Sequence, residues 1–363
     1  MLNSLCYAQP LKWMIPAGVM LGVAPTVLTS WALWRIFTLL LPFRIYGKGD
    51  ETAYALYQRL VLFFYINYTG VRIILYGEYE DMLERSENVI FISNHQSAVD
   101  WIIADVLAER QGSLGNIRYV LKDGLKYLPL YGFYLRQHSC IYVKRGNFQV
   151  GQAVKELQLL NRQKTPFWMV IFPEGTRYNP NLADIIRKSE QYAQEQGMDP
   201  LKHHLTPRTK AFQLCVNELR DVTDAVYDIT AAYSGTYCQG QRIVAPGLAD
   251  FLAGICGELH IHIKRIPISK VPSDPEKIKH FLYERFRQKD QLLERFYSSD
   301  VSVNGTLDDG GYKHRLGYRS TLPALLFWLA VHVPLFATHT GRQFYWKTTV
   351  FGMFAGWTWV TLK

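Results

Sequence analysis

The chain has 363 residues, enough for about two typical domains or one large α/β domain with appendages. Its 48% apolar and 20% charged content excludes a disordered tail protein, and a mean hydropathy of −0.06 excludes a chain that is mostly transmembrane helix. A formal net charge of +9 leaves nucleic acid, anionic lipid and acidic substrates open, while 9 Trp, 23 Tyr and 19 Phe point to a membrane interface.

The first predicted element is a membrane anchor over residues 13–34. These 22 residues carry no charge, and as helix they extend about 33 Å, enough for a hydrocarbon core of about 30 Å. Pro16 and Pro25 bend such a helix without ending it in lipid. Lys12 precedes the run and Arg35, Arg44 and Lys48 follow it, which places the next segment on the cytoplasmic side. A signal peptide is the alternative, but the run is long for one and no small-x-small cleavage site follows. Residues 1–48 are thus the expected anchor.

The apolar stretch 60–76 contains Asn67, Gly70 and Arg72 and is short for a span. An interfacial or re-entrant segment over 49–85 is expected, with Arg59 and Arg72 at the headgroups and Phe63, Phe64, Ile66, Ile73 and Ile74 in the acyl boundary. A buried core helix is the competing expectation.

Beyond residue 86, short β-branched and aromatic runs alternate with helix-like stretches. Strands are predicted at 89–93, 118–121, 140–144, 168–172, 227–233 and 259–263. The alternation predicts an α/β fold, a largely parallel sheet flanked by helices, with ligands at the C-terminal ends of the strands. Ser273-Asp274-Pro275-Glu276 resembles a capping box opening an amphipathic helix to about Tyr297, with Ile278, Phe281, Leu282 and Phe286 on its apolar face. The catalytic domain is expected at 86–297. A polar stretch, 298–311, within a linker 298–320, ends the globular part, and the apolar runs 321–340 and 348–362 suggest a membrane hairpin over 321–363. Five cysteines at irregular spacing indicate neither a disulfide framework nor a metal pair. The two Asn-x-Thr triplets, at Asn67 and Asn304, are short patterns that arise readily by chance.

The most informative cluster is Ser93-Asn94-His95-Gln96-Ser97-Ala98-Val99-Asp100-Trp101. On one ideal helix His95 and Asp100 would point about 140° apart. They meet if His95 lies in a loop and Asp100 in the first turns of the next helix, with Ser97 as N-cap. Asp100 would then fix the imidazole tautomer while the other ring nitrogen removes a proton. This is a base without a built-in nucleophile, so the acceptor hydroxyl belongs to the substrate. An ordinary His-Asp cap fits the pair alone as well.

A second cluster, Phe172-Pro173-Glu174-Gly175-Thr176-Arg177, also follows a predicted strand. Gly175 permits close backbone approach, Thr176 supplies donors, and the Arg177 fork suits a phosphate. Glu174 would repel phosphate and is expected to orient Arg177 or bind a glycerol hydroxyl; a tight turn with a surface ion pair is the alternative. Between the clusters, Ile141-Tyr142-Val143-Lys144-Arg145 delivers two cations at a strand end. Lys122, Lys126 and Arg136 add charge amid aromatics, with no RNA-binding pattern, and suit an anionic lipid headgroup. Leu205-Thr206-Pro207-Arg208 supplies a rigid turn that could shape an acceptor pocket. His203-His204 and His260-x-His262 lack metal-site spacing, and no metal is expected.

In order, the Asn94 to Asp100 cluster, the strand ending at Arg145, the Phe172 to Arg177 cluster and the Pro207 stretch resemble the four motifs of the glycerolipid acyltransferases. The resemblance is to the 1-acylglycerol-3-phosphate acyltransferases and extends over nearly the whole chain. Lys122-Asp123-Gly124-Leu125-Lys126, Tyr178-Asn179-Pro180 and the C-terminal hydrophobic pair are similar to the epsilon type. The resemblance implies acyl transfer from acyl-CoA, as co-substrate and with no cofactor, to the sn-2 hydroxyl of lysophosphatidic acid, giving phosphatidic acid. It implies His95 as general base, Asp100 as its orienting partner, and substrate binding by Lys144, Arg145, Glu174, Gly175, Thr176, Arg177 and Pro207. One departure is Ser139-Cys140, where family members often carry Gly before the second-motif strand; a larger side chain there can narrow the pocket. Another lysophospholipid acceptor, or a non-catalytic lipid-binding scaffold, is the alternative.

The expected partners are acyl-CoA, lysophosphatidic acid or a related lysophospholipid, and a lipid bilayer, with no nucleic acid. The expected location is the endoplasmic reticulum membrane, with the mitochondrial outer membrane and nuclear envelope as further sites, the catalytic domain facing the cytosol. The charge distribution agrees: Lys12, Arg35, Arg44 and Lys48, and Arg342, Lys347 and Lys363, stand in acid-free terminal segments and account for most of the net +9. These cations flank apolar segments, as anchoring requires.

Overall fold

All six predicted strand segments form strands, and they lie in one eight-stranded sheet. The computed structural model describes residues 2–144, 150–163, 166–238, 240–300 and 302–362. Its strands are β1 (Arg72–Gly77), β2 (Val89–Ser93), β3 (Ile117–Lys122), β4 (Ile141–Val143), β5 (Trp168–Ile171), β6 (Ala225–Tyr233), β7 (Tyr237–Cys238), β8 (Gln241–Arg242), β9 (Glu258–Pro267) and β10 (Tyr312–His314). The helices are α1 (Leu2–Phe37), α2 (Phe43–Leu62), α3 (Tyr79–Leu83), α4 (Trp101–Arg110), α5 (Tyr131–Gln137), α6 (Val150–Gln163), α7 (Ala183–Glu195), α8 (Thr209–Leu219), α9 (Leu248–Leu252), α10 (Pro275–Phe296), α11 (Tyr318–Ala337) and α12 (His339–Leu362).

The sheet order is β10-β1-β9-β6-β2-β5-β3-β4. It is mostly parallel; only the β10/β1 and β9/β6 pairs are antiparallel. Every residue of β2 is buried, as a central parallel strand covered on both faces requires. Its alternate side chains enter two cores. Val89 and Phe91 pack with α1, α2 and α4, whereas Ile90 and Ile92 pack with α6, α8 and α10. In α10, Ile278, Leu282 and Phe286 are buried and Phe281 packs at the edge. Its N-cap is Asp274, which accepts the Lys277 N–H, with Pro275 in the first turn.

The stretch 60–76 differs from the interfacial expectation. It is divided among the end of α2, a π-helical turn (Phe63–Tyr68) and β1. Ile73 and Ile74 are buried in the sheet, where β1 pairs with β9, while half-buried Arg59 pairs with Glu109 and exposed Arg72 pairs with Glu258. A strand buried on both faces has no polar alternation, so its sequence resembles a membrane segment. The linker also contributes to the sheet: β10 adds an edge strand beyond residue 311, and Leu307 is buried. The Asn67 amide donates to the Leu316 carbonyl and accepts from Thr321.

Among the described residues, two helices are long and apolar enough to cross a membrane, Pro10–Phe37 and Tyr318–Ala337. α11 and α12 fold back on each other, with the Phe336 and Tyr345 rings 4.8 Å apart. α1 joins them through Thr26 and His332 at 3.0 Å and through the Tyr345 hydroxyl donating to the Gly22 carbonyl.

Candidate active site

The loop after β2 is fixed by its own polar side chains. Asn94 continues the strand pairing artificially: its Nδ2 donates to the Ala231 carbonyl at 3.0 Å and its Oδ1 accepts the Ala231 N–H at 2.7 Å. His95 then lies in the loop, and Asp100 immediately precedes α4. His95 Nδ1 and Asp100 Oδ2 are 2.7 Å apart. The same Oδ2 accepts the N–H groups of Gln96 and Ser97 at 2.7 and 2.9 Å, and Oδ1 accepts the Tyr233 hydroxyl. Asp100 is buried, and this full set of donors is what a desolvated carboxylate needs. Ser97 does not cap α4; its Oγ accepts the Val99 N–H and donates to the Pro246 carbonyl.

With Nδ1 engaged, Nε2 is the nitrogen left for chemistry. The His95 side chain is 24% exposed, and its ring stacks on Phe172 with centroids 4.5 Å apart. A second pair, His138 and Asp50 at 2.6 Å, is different. Both are buried, and Arg118 lies 2.6 Å from His138 Nε2. That histidine has no free nitrogen to act as a base.

The loop after β5 closes on His95 from the other side. Gly175 turns the chain at φ 68°, a conformation that favours glycine, and the Tyr178 N–H donates to the His95 carbonyl at 2.7 Å. Gly175 and Arg177 are exposed and Thr176 is half-buried. Arg177 enters none of the ion pairs among the described residues.

Glu174 points the opposite way from the expected substrate contact. It is buried; Oε1 accepts the His95 N–H at 2.6 Å and Oε2 the Leu205 N–H at 2.9 Å. Burial pushes its carboxyl up to about 8. The Arg208 N–H donates to the Pro173 carbonyl at 2.7 Å, beside buried Pro207. The structure therefore brings together three of the four expected stretches, around His95, Glu174 and Pro207. Lys144 is exposed just beyond β4, separated from β2 by β3 and β5. Arg145 lies outside the described residues.

Sequence reasoning missed Tyr233 and Arg242. Arg242 donates to Gln96 Oε1 at 2.7 Å and to the His203 carbonyl at 2.9 Å, with its guanidinium 4.2 and 4.6 Å from the Tyr178 and Tyr297 ring centres. Neither residue stands in a local motif, so only the tertiary fold reveals them.

Comparison with known proteins supplies the family. Residues 76–234 match the Acyltransferase family model and residues 250–328 the Acyltransferase C-terminus model. The chain is 42% identical to mouse 1-acyl-sn-glycerol-3-phosphate acyltransferase epsilon over the full length of both. It is 33% identical to a probable 1-acyl-sn-glycerol-3-phosphate acyltransferase 5 of Arabidopsis thaliana, covering 82% of this chain and 76% of that one. The delta protein of mouse is 34% identical over 59% of this chain and 54% of its own. The chain belongs to the 1-acyl-sn-glycerol-3-phosphate acyltransferase family. It is an acyltransferase enzyme, and its two long apolar helices associate it with a membrane. In this acyltransferase the first matched region contains every expected site residue, from His95 to Pro207. The C-terminal match takes in β9, α10, β10 and part of α11.

Proposed function

We propose that this acyltransferase moves a fatty acyl group from acyl-CoA to the sn-2 hydroxyl of 1-acylglycerol-3-phosphate, forming phosphatidic acid. The observation that carries the reading is the His95–Asp100 pair at 2.7 Å, with one imidazole nitrogen engaged and the ring partly exposed at the C-terminal end of β2. His95 Nε2 takes the hydroxyl proton as the oxygen attacks the thioester carbonyl carbon. Collapse of the tetrahedral adduct breaks the carbon–sulfur bond, and the proton passes to the departing thiolate. Asp100 holds the tautomer and stabilises the imidazolium.

Arg177 is the residue we assign to the acceptor phosphate, assisted by Lys144 and Arg145, with Gly175 and Thr176 shaping the approach and Pro207 the floor. Exposed Arg177 is one residue from Tyr178, whose N–H holds the His95 carbonyl, so the loop that would capture phosphate is hydrogen-bonded to the loop that carries the base. A positioned base contributes roughly 10²–10⁴-fold, whereas holding reactants in attack geometry removes about 7–11 kcal/mol of barrier. Positioning of the hydroxyl by the phosphate grip is therefore the larger part of catalysis. The proposed location is the endoplasmic reticulum membrane, with the mitochondrial outer membrane and nuclear envelope as further sites, the catalytic domain facing the cytosol as the cations flanking the uncharged run 13–34 favour.

The test is thiol release from acyl-CoA by the full-length protein in vesicles, across a panel of lysolipids that differ in headgroup. Lysophosphatidic acid is expected to be the preferred acceptor. Arg177→Ala should raise its KM by about 10- to 100-fold, the worth of a charged hydrogen bond. Equal use of all lysolipids, or an unchanged KM, would contradict the assignment.

A further inference from the structure

The proposed reading of His95 as the base leaves open what sets the strength of its carboxylate partner. Asp100 Oδ2 carries the imidazole and two loop N–H groups, but Oδ1 has a donor from a different element. The Tyr233 hydroxyl, at the end of β6, donates to Oδ1 at 2.5 Å. Tyr233 is fully buried, with Phe251 edge-on to its ring at 6.3 Å. We propose that Tyr233 is a positioning residue for acyl transfer: it fixes the Asp100 carboxylate on His95 and moderates that carboxylate's charge.

The geometry supports a chain from Tyr233 through Asp100 to His95, leading outward from the buried strand to the exposed imidazole. Burial and the Asp100 charge push the Tyr233 phenol well above its ordinary value, so it keeps its proton and acts as the donor. β6 also holds the other end of the same loop, through Ala231 and the Asn94 and Gln96 side chains. One strand thus sets both the loop backbone and the carboxylate. The further titratable and charged groups that face this chain are Glu174 behind the His95 backbone, Arg242 on Gln96 and Cys256 near Tyr233. They remain in place when the phenol hydroxyl alone is removed.

The sign of the effect follows. A hydrogen bond to the ionised carboxylate spreads its charge and weakens its hold on the imidazolium. Without it, Asp100 attracts the charged imidazole more strongly, and the acid limb of the rate moves to higher pH.

The experiment is the pH profile of kcat/KM for the full-length enzyme in phosphatidylcholine vesicles, with lysophosphatidic acid and acyl-CoA. In Tyr233→Phe the acid limb is expected to move up by about half a pH unit, with plateau kcat down about tenfold from looser placement of the pair and the acceptor KM unchanged. An acid limb in the wild-type position, whatever the rate, would overturn the inference, because a purely structural role lowers rate without moving the limb. Site-specific 3-fluorotyrosine at position 233 keeps the shape and strengthens the donor, so it provides the readout if the Phe variant does not fold. Its limb must move down; an unmoved or raised limb overturns the inference. His95→Ala measured in parallel separates the two levels: substantial turnover without His95 removes the base reading and this inference together, whereas an inactive His95→Ala beside an unmoved limb removes this inference alone.

Discussion

Glu174 Oε1 accepts the backbone N–H of His95 at 2.6 Å, so the acid of the second loop holds the proposed base of the first by its main chain. Its other oxygen takes the Leu205 N–H, and Tyr178 closes on the His95 carbonyl. The carboxyl is a knot of three loops. Replacing it with Gln keeps one acceptor and turns the other position into a donor facing an N–H. Glu174→Gln is expected to lower kcat about 10- to 100-fold, the scale of a small misplacement of a catalytic group, with little change in acceptor KM. Steady-state kinetics with lysophosphatidic acid distinguish this from substrate binding, for which a raised KM at intact kcat would be seen.

The same carboxyl predicts a pH dependence of stability. Burial raises it from 4.5 to about 8, so between those values the folded chain holds a proton that the unfolded chain has released. Stability contributed by this group is therefore lost as pH rises through the window, at up to about 1.4 kcal/mol per pH unit for one proton. Thermal unfolding in detergent between pH 5 and 8 should show a downward trend in Tm that is shallower in Glu174→Gln. Equal slopes in the two proteins would show that Glu174 does not retain its proton.

Ser139 has φ 60°, in the left-handed region where a side chain costs about 1–2 kcal/mol. The turn before β4 thus takes a conformation that glycine adopts freely and serine does not. Ser139→Gly is expected to change stability by no more than about 1 kcal/mol in the favourable direction, the relief of the Cβ clash being partly offset by the unfolded-state entropy of glycine. Denaturant titration would detect it; a clear loss of stability would mean that the serine side chain holds the turn.

Much of the fold is legible in the sequence because its central strands are runs of buried β-branched and aromatic residues bounded by turns, as in Val89–Ser93 and Trp168–Ile171. β1 is obscured by the same property: Arg72–Gly77 continues an apolar run begun in α2, and pairing, which sequence does not display, decides that it is sheet. β10, with Tyr312, Lys313 and His314, is too short and polar to signal itself. At the site, the His95–Asp100 contact follows from local spacing once a loop is allowed. The inward turn of Glu174 and the donation from Tyr233 depend on partners 79 and 133 residues away, which no local motif encodes.

The central claim is that His95 is the base of an acyl transfer. It is tested most directly by following thiol release from acyl-CoA, with lysophosphatidic acid as acceptor, for wild-type and His95→Ala protein purified and inserted into vesicles in equal amounts. Loss of a base worth roughly 10²–10⁴-fold predicts that the variant inserts normally and turns over at no more than about one hundredth of the wild-type rate. Turnover near the wild-type rate in the correctly inserted variant would contradict the account.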